Sequence, residues 1–178
     1  MEKAKFIVRP VSRRDRDDLV GCYYSYWEER KQNPLLGLGF LAKKPTLKEE
    51  REWFKNMYGS VRRGDTIASV AEVDGKVVGL CDVKGQRRLA DTAHVAVLGI
   101  AIRKEYRAMG IGSGLLKDVI KRSGKRFDII TLSVFGTNKK AEELYRKVGF
   151  RRYGVLPKGL RRNGREIPHV YMYLDLRD

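Results

Sequence analysis

The stretch Tyr106-Arg107-Ala108-Met109-Gly110-Ile111-Gly112-Ser113-Gly114 constrains this chain more than any other. It follows the apolar run His94 to Ile102 and precedes an amphipathic segment, Leu115 to Arg122. A strand, a glycine-punctuated turn and a helix start therefore follow one another within about thirty residues. Glycine allows positive φ and close approach of a ligand to the backbone, while the first amides of a helix lack intrahelical partners. Those donors, at the positive end of the helix dipole, attract phosphate. The pattern predicts an anion cradle and a phosphorylated ligand.

The flanking segments say what surrounds that cradle. Phe6 to Val11 reads as a strand, closed by Ser12 with Asp15 three residues on, in the manner of a helix N-cap. A helix is predicted over Asp15 to Lys31, with Leu19, Cys22, Tyr23, Tyr26 and Trp27 on one side. Asn33 to Pro45 is an irregular but apolar loop carrying Leu35, Leu36, Leu38, Phe40 and Leu41. Thr46 and Glu49 form a capping box for a second helix, with Trp53, Phe54 and Met57 as core candidates and Gly64-Asp65 as its end.

Thr66 to Val73 and Lys76 to Val83 flank Asp74-Gly75, a strong hairpin signal. A polar loop, Gly85 to Asp91, leads to the strand Ala93 to Ile102, and Asp128 to Phe135 reads as a further buried strand. Asn138 to Val148 is a short helix with Ala141, Leu144, Tyr145 and Val148 on one face. Phe150 to Val155 and Val170 to Leu176 are predicted as final strands across a loop from Pro157 to Pro168. The order implies one α/β domain with a mixed sheet of about seven strands.

Composition narrows the function classes. The 178 residues, 42% of them apolar, are enough for one well-buried core. No apolar run approaches the ~20 residues of a membrane span, and no signal-peptide pattern opens the chain, so a cytoplasmic location without membrane association is expected. Cys22 and Cys81 stand singly and are expected as buried free thiols. The net charge of +16 is uneven: residues 1–102 hold 19 basic and 14 acidic side chains, residues 103–178 hold 19 and 8. A polyanionic ligand, an acidic protein or nucleic acid would each suit the second part.

At Arg107-Ala108-Met109-Gly110-Ile111-Gly112 the chain resembles the Gcn5-related N-acetyltransferase superfamily, whose acetyl-CoA signature is Arg/Gln-x-x-Gly-x-Gly/Ala. The preceding Leu98-Gly99-Ile100-Ala101-Ile102 looks like the family's fourth strand. Downstream, Asn138-x-x-Ala141-x-x-Leu144-Tyr145-x-x-x-Gly149-Phe150 matches a second signature at the expected distance. A dinucleotide-binding turn should open its βαβ unit, yet two helices and a hairpin precede Arg107; a Walker A loop would need Gly-Lys-Ser/Thr after the glycines. The resemblance implies a mostly antiparallel twisted sheet with a central parallel pair and about four helices. It also implies acceptor-side helices and loop over 1–65 and an acetyl-CoA-binding core over 66–178.

The same resemblance assigns roles. Ala108, Met109, Gly110, Ile111, Gly112 and Ser113 would bind the CoA pyrophosphate through their backbone, with Arg107 where the turn begins. Ile100, Ala101 and Ile102 would pair with the pantetheine amides, and Asn138 would contact the cofactor or cap its helix. Tyr145 matches the general acid that protonates the departing thiolate. Relatives often carry a glutamate base near the position of Val97, which leaves Glu72, Asp82, His94, His169 or water relayed from the backbone or Ser133 as candidates. The implied activity is acetyl transfer to a primary amine: an amino acid, a peptide or protein N-terminus, a lysine or a small amine. The apolar loop, with Tyr23, Tyr26 and Trp27, would wall the acceptor pocket and suits an acceptor with a hydrophobic part. The alternative is a non-catalytic or weakly catalytic CoA-binding module whose basic clusters Lys139-Lys140, Arg151-Arg152, Arg161-Arg162 and Arg165 hold nucleic acid or an acidic partner. A homodimer is compatible with this reading.

Overall fold

The structure, a computed structural model, describes residues 5–33, 35–86 and 89–178. Seven strands and four α-helices run in the order β1 (Ile7–Pro10), α1 (Arg16–Gln32), α2 (Leu47–Arg63), β2 (Thr66–Val73), β3 (Lys76–Gly85), β4 (Val95–Ile102), α3 (Ile111–Ser123), β5 (Ile129–Phe135), α4 (Lys139–Lys147), β6 (Arg151–Arg162) and β7 (Arg165–Asp175). They form one sheet of order β1-β2-β3-β4-β5-β7-β6. Every neighbouring pair is antiparallel except β4–β5, which is parallel. The mixed sheet with its central parallel pair is as expected. The centre of the polar loop, 87–88, and Pro34 of the apolar loop lie outside the described residues.

Local signals account for the element ends. At the start of α2 the Glu49 carboxylate accepts the Thr46 N–H at 2.7 Å and the Glu49 N–H donates back to Thr46 Oγ1 at 3.3 Å. Gly64, at φ +75°, closes the helix in a left-handed cap. Asp74 and Gly75 have φ of +49° and +77°, the paired left-handed values that match a tight hairpin to the twist of its strands.

Packing covers the two faces of the sheet unequally. On one face α3 buries Ile111, Leu115, Leu116 and Val119 against Val83, Leu98, Ile130 and Met172, and α4 adds Tyr145. Each fully buried large apolar side chain contributes about 1.5–3 kcal/mol. On the other face α1 and α2 bring Leu19 and Phe54 onto Ala68, Val70 and Val77 of β2 and β3. Their cover stops there. Val97 of β4 is 41% exposed, and Tyr153 and Leu156 of β6 are 58% and 52% exposed.

Two expectations fail. Trp53 is 43% exposed rather than core, because the buried side of α2 is narrow and Phe54, one residue on, occupies it. The segment Pro157 to Pro168 is no loop: β6 and β7 continue through it to a tight turn at Asn163-Gly164, φ +49° and +74°. Its prolines sit where pairing is broken. The register shifts between Leu156 and Leu160 on the edge strand β6, a bulge that absorbs Pro157 and faces Pro168.

Candidate active site

The sheet forks at its parallel pair. Among the described residues the β4–β5 ladder runs through Val95–Ile129, Ala96–Ile130 and Val97–Thr131. Beyond Val97, β4 is paired with β3 alone, and beyond Thr131, β5 is paired with β7 alone. Ile100, Ala101 and Ile102 line one lip of the resulting wedge along an edge that no strand pairs.

The glycine turn closes the end of that lip. Ala108 and Gly110 have φ of +63° and +87°, and Gly110 is the cap of α3 with no side chain satisfying its amides. The first intrahelical bond runs from the Gly114 N–H to the Gly110 carbonyl at 3.1 Å, so the amides of Ile111, Gly112 and Ser113 stand ahead of it as donors. A Cβ at Gly112 would lie 3.0 Å from Leu144 Cδ2, so glycine lets α3 start against α4. Met109 is exposed at the tip.

Arg107 leaves the turn by its side chain. Its guanidinium donates to both carboxylate oxygens of Glu29, at 2.6 and 2.7 Å, and its Nε to the Ile102 carbonyl at 2.9 Å. Glu29, 7% exposed on α1, thus ties the first helix to the end of β4 and the start of the turn. A glutamate inside a helical pattern carries no sequence signal of such a role. Asn138 caps α4, accepting the Ala141 N–H at 3.2 Å. Its Nδ2 lies under the α1–α2 loop, where a Cβ at Gly37 would come within 2.5 Å of it.

Tyr145 is 8% exposed and meets Phe150 edge-on at 5.9 Å between ring centroids. Burial, with the neighbouring Cys81, pushes its hydroxyl well above the usual phenol range, so it stays protonated. Burial likewise raises the thiols of Cys22, to about 12, and Cys81, which leaves both unreactive.

The α1–α2 loop is strapped to the β6–β7 hairpin beside the open end of β5. Arg162 donates to the carbonyls of Leu36 and Leu38, the latter at 2.7 Å, and its guanidinium lies 4.6 Å from the Phe135 ring centre and 5.6 Å from that of Phe40. Phe40 in turn packs against Trp27 at 5.2 Å. Nothing local in the sequence links Arg162 to that loop.

The candidate bases separate by position. Glu72 is held by Arg9 at 2.6 Å where β1 meets β2. His94 precedes β4 at the end away from the fork, where its carbonyl accepts the Asp128 N–H at 2.9 Å. His169 lies opposite Phe135 on β7, with Nδ1 3.1 Å from the Tyr171 hydroxyl, and burial lowers its pKa. Asp82 lies opposite Gly99, just past the fork, and makes no hydrogen bond or ion pair among the described residues. Burial pushes its carboxyl up to about 6, against the pull of Lys84.

Residues 26–150 match the acetyltransferase (GNAT) family. The chain belongs to that family. It is 35% identical over 105 residues to the L-amino acid N-acetyltransferase AaaT of Escherichia coli, covering 58% of this chain and 64% of that one. It is 35% identical over 98 residues to an N-alpha-acetyltransferase of Sulfurisphaera tokodaii, covering 49% and 58%. The matches therefore span less than two thirds of these relatives. Among solved structures, YncA of Salmonella typhimurium, described as an acetyltransferase with its cofactor acetyl-CoA, superposes with a TM-score of 0.79 at 16% identity over 96% of this chain and 94% of that one.

Proposed function

We propose that this chain transfers the acetyl group of acetyl-CoA to a primary amine carried by an amino acid or a peptide N-terminus, by direct attack in a ternary complex. The observation that carries the reading is the fork between β4 and β5, ending in the glycine-capped start of α3. A wedge with one free strand edge suits a thin amide-bearing chain such as pantetheine, and the open amides of Ile111, Gly112 and Ser113 suit a pyrophosphate. Ile100, Ala101 and Ile102 hold the former; Ala108, Met109 and Gly110 shape the turn that holds the latter. Arg107 braces the turn through Glu29 and Ile102 rather than by its charge alone. Asn138 positions the start of α4 beside the wedge.

Bound acetyl-CoA supplies an acetyl thioester. Tyr145, kept protonated by burial, donates to the departing thiolate. The strapped loop of Leu36, Leu38 and Phe40 closes the acceptor side and favours an amine with an apolar part. The names of the two relatives, one acting on L-amino acids and one on N-alpha groups, agree with that choice of acceptor class.

The nucleic-acid reading draws less support, because several cations of the basic clusters are already engaged. Arg152 pairs with Glu142, Lys158 and Arg161 share Glu166, and Arg162 is spent on the loop. Thiol release from acetyl-CoA over a panel of amino acids, N-terminal peptides, lysine peptides and polyamines tests the proposal. Turnover with amino acids or N-termini is expected; CoA binding without turnover of any amine would overturn it.

A further inference from the structure

A primary amine is mostly protonated at neutral pH and must lose a proton before it attacks. We propose that the carboxylate of Asp82 on β3 takes that proton, reaching the amine across Gly99 of β4. This rests on the acetyl-transfer reading above.

Register places the carboxylate at the fork. Asp82 pairs with Gly99, and Gly99 is two residues beyond Val97, the last β4 residue joined to β5. Residues directly opposite in an antiparallel pair share a face, so Asp82 and Gly99 point to the α1–α2 side of the sheet, at the margin of the helices' cover between buried Ala68 and exposed Val97. Continuing the parallel register past Val97–Thr131 puts Ser133 on the same level across the gap, and Ser133 is paired with Tyr171. One row thus runs Asp82, Gly99, gap, Ser133, Tyr171. Glycine is what opens it: a Cβ at Gly99 would lie 3.2 Å from Asp82 Oδ1. Any side chain there would stand between the carboxylate and the wedge. Val97, one row earlier, offers no proton-accepting group.

The surroundings fit a base rather than a structural carboxylate. Three carboxylates of this fold that are largely withdrawn from solvent are held by arginine, Asp15 and Glu72 by Arg9 and Glu29 by Arg107, whereas Glu50 on α2 is buried without such a partner among the described residues. Asp82 has no such partner, yet the residue keeps partial solvent access. Beside it β2 offers Ala68 and β4 offers Gly99, with Val97 two residues before; Leu19 of α1 and Phe54, Met57, Tyr58 and Val61 of α2 pack in the cluster that contains Ala68. Tyr58 is the titratable group among these, and Lys84, on Asp82's own strand, is the cation that acts on it. An apolar setting with one weak counter-charge tunes a carboxyl towards the working pH, where a general base serves best.

Asp82 takes one proton from the ammonium. The freed nitrogen lone pair forms the C–N bond as the C–S bond breaks, and its electron pair stays on sulfur. Tyr145 gives its hydroxyl proton to that sulfur, and the second proton of the nitrogen restores the phenol. Asp82 releases its proton to solvent.

The test uses the full chain, acetyl-CoA and the panel amine turned over fastest. Asp82→Asn is expected to lower kcat/KM by about 10²–10⁴ at pH 7, leaving CoA affinity within about twofold. The loss should narrow as pH rises towards the amine's own pKa, and the bend near 6 in the wild-type profile should vanish. His169→Gln should keep that bend. Gly99→Ala, a milder second variant should Asp82→Asn fail to fold, should lose turnover while still binding CoA. Wild-type kcat/KM in Asp82→Asn, or loss of the bend in His169→Gln instead, would overturn the assignment alone. A wild-type protein that binds CoA but acetylates no amine overturns the transfer reading and this assignment with it.

Discussion

The proposed donor end of the cleft is made of backbone and the proposed acceptor end of side chains, and the two ends should respond to mutation differently. At the donor end, free amides of α3 and a free edge of β4 are presented by local geometry: a glycine cap, a left-handed turn, a strand that loses its neighbour. Side-chain identity matters there mostly where it would intrude. At the proposed acceptor end Asp82, Ser133, Tyr171, Arg162 and the 35–45 loop come from separate parts of the chain and are aligned only by sheet register and a long-range clamp. Single side chains should therefore govern rate at one end and affinity at the other.

The largest break in that comparison is expected at Tyr145, which stands between the two ends. Tyr145→Phe removes the hydroxyl proposed to protonate the leaving thiolate and keeps the ring packed on Phe150. It should lower kcat by about 10²–10⁴ with CoA affinity unchanged, measured as thiol release beside calorimetric titration of CoA. Equal turnover at every pH would remove Tyr145 from the chemistry.

Asp82 sharpens the comparison from the stability side. Its folded pKa, about 6, lies above its ordinary value of 3.8, so folding favours the protonated form. The stability this contributes is full below about pH 4 and is lost as pH rises through 6. Asp82→Asn carries no such dependence. It should be more stable than wild type at pH 8 by up to about 3 kcal/mol, with the gain gone by pH 4, as read by urea unfolding at both pH values. A group kept at a cost in stability is what a functional position looks like.

The elements of the proposed donor end were legible in the sequence because their signals are contiguous. The glycine string, the Asp74-Gly75 hairpin, the Thr46–Glu49 box and the face shared by Ala141, Leu144 and Tyr145 each lie within about one or two turns of chain. The acceptor end was not. Asp82 meets Gly99 only if the β3–β4 register is known, and Arg162 meets Leu36 across 126 positions. Pro157 and Pro168 hid a hairpin that Asn163-Gly164 announced, since a bulge on an edge strand accommodates prolines that a regular ladder excludes. Trp53 was misplaced by about a quarter-turn of helix, the angle separating it from Phe54.

One bond joins the two ends. Glu29 on the acceptor-side helix grips Arg107 of the donor turn. Glu29→Gln leaves that arginine, about a third exposed, without its carboxylate. The expected cost is about 2 kcal/mol of stability, less than for a fully buried pair. CoA affinity should fall with it as the turn loosens, whereas acceptor KM should hold. A fall in thermal midpoint without any change in CoA affinity would show the bridge to be structural only.

The smallest expected effect isolates the backbone itself. A Cβ at Gly110 would meet nothing within 4 Å, yet its φ is +87°. Gly110→Ala therefore adds no collision and changes only the ease of holding a left-handed turn, worth about 1 kcal/mol. Because the turn presents the α3 amides, that energy should appear as roughly a fivefold weaker CoA affinity, with acceptor KM unaltered. Gly112→Ala tests the opposite cause, since its backbone is ordinary but its Cβ would press on Leu144 at 3.0 Å. It should disturb the packing of α3 on α4 and lower thermal stability. If both variants weakened CoA equally with no loss of stability in either, the turn would be acting by shape of surface rather than by backbone conformation.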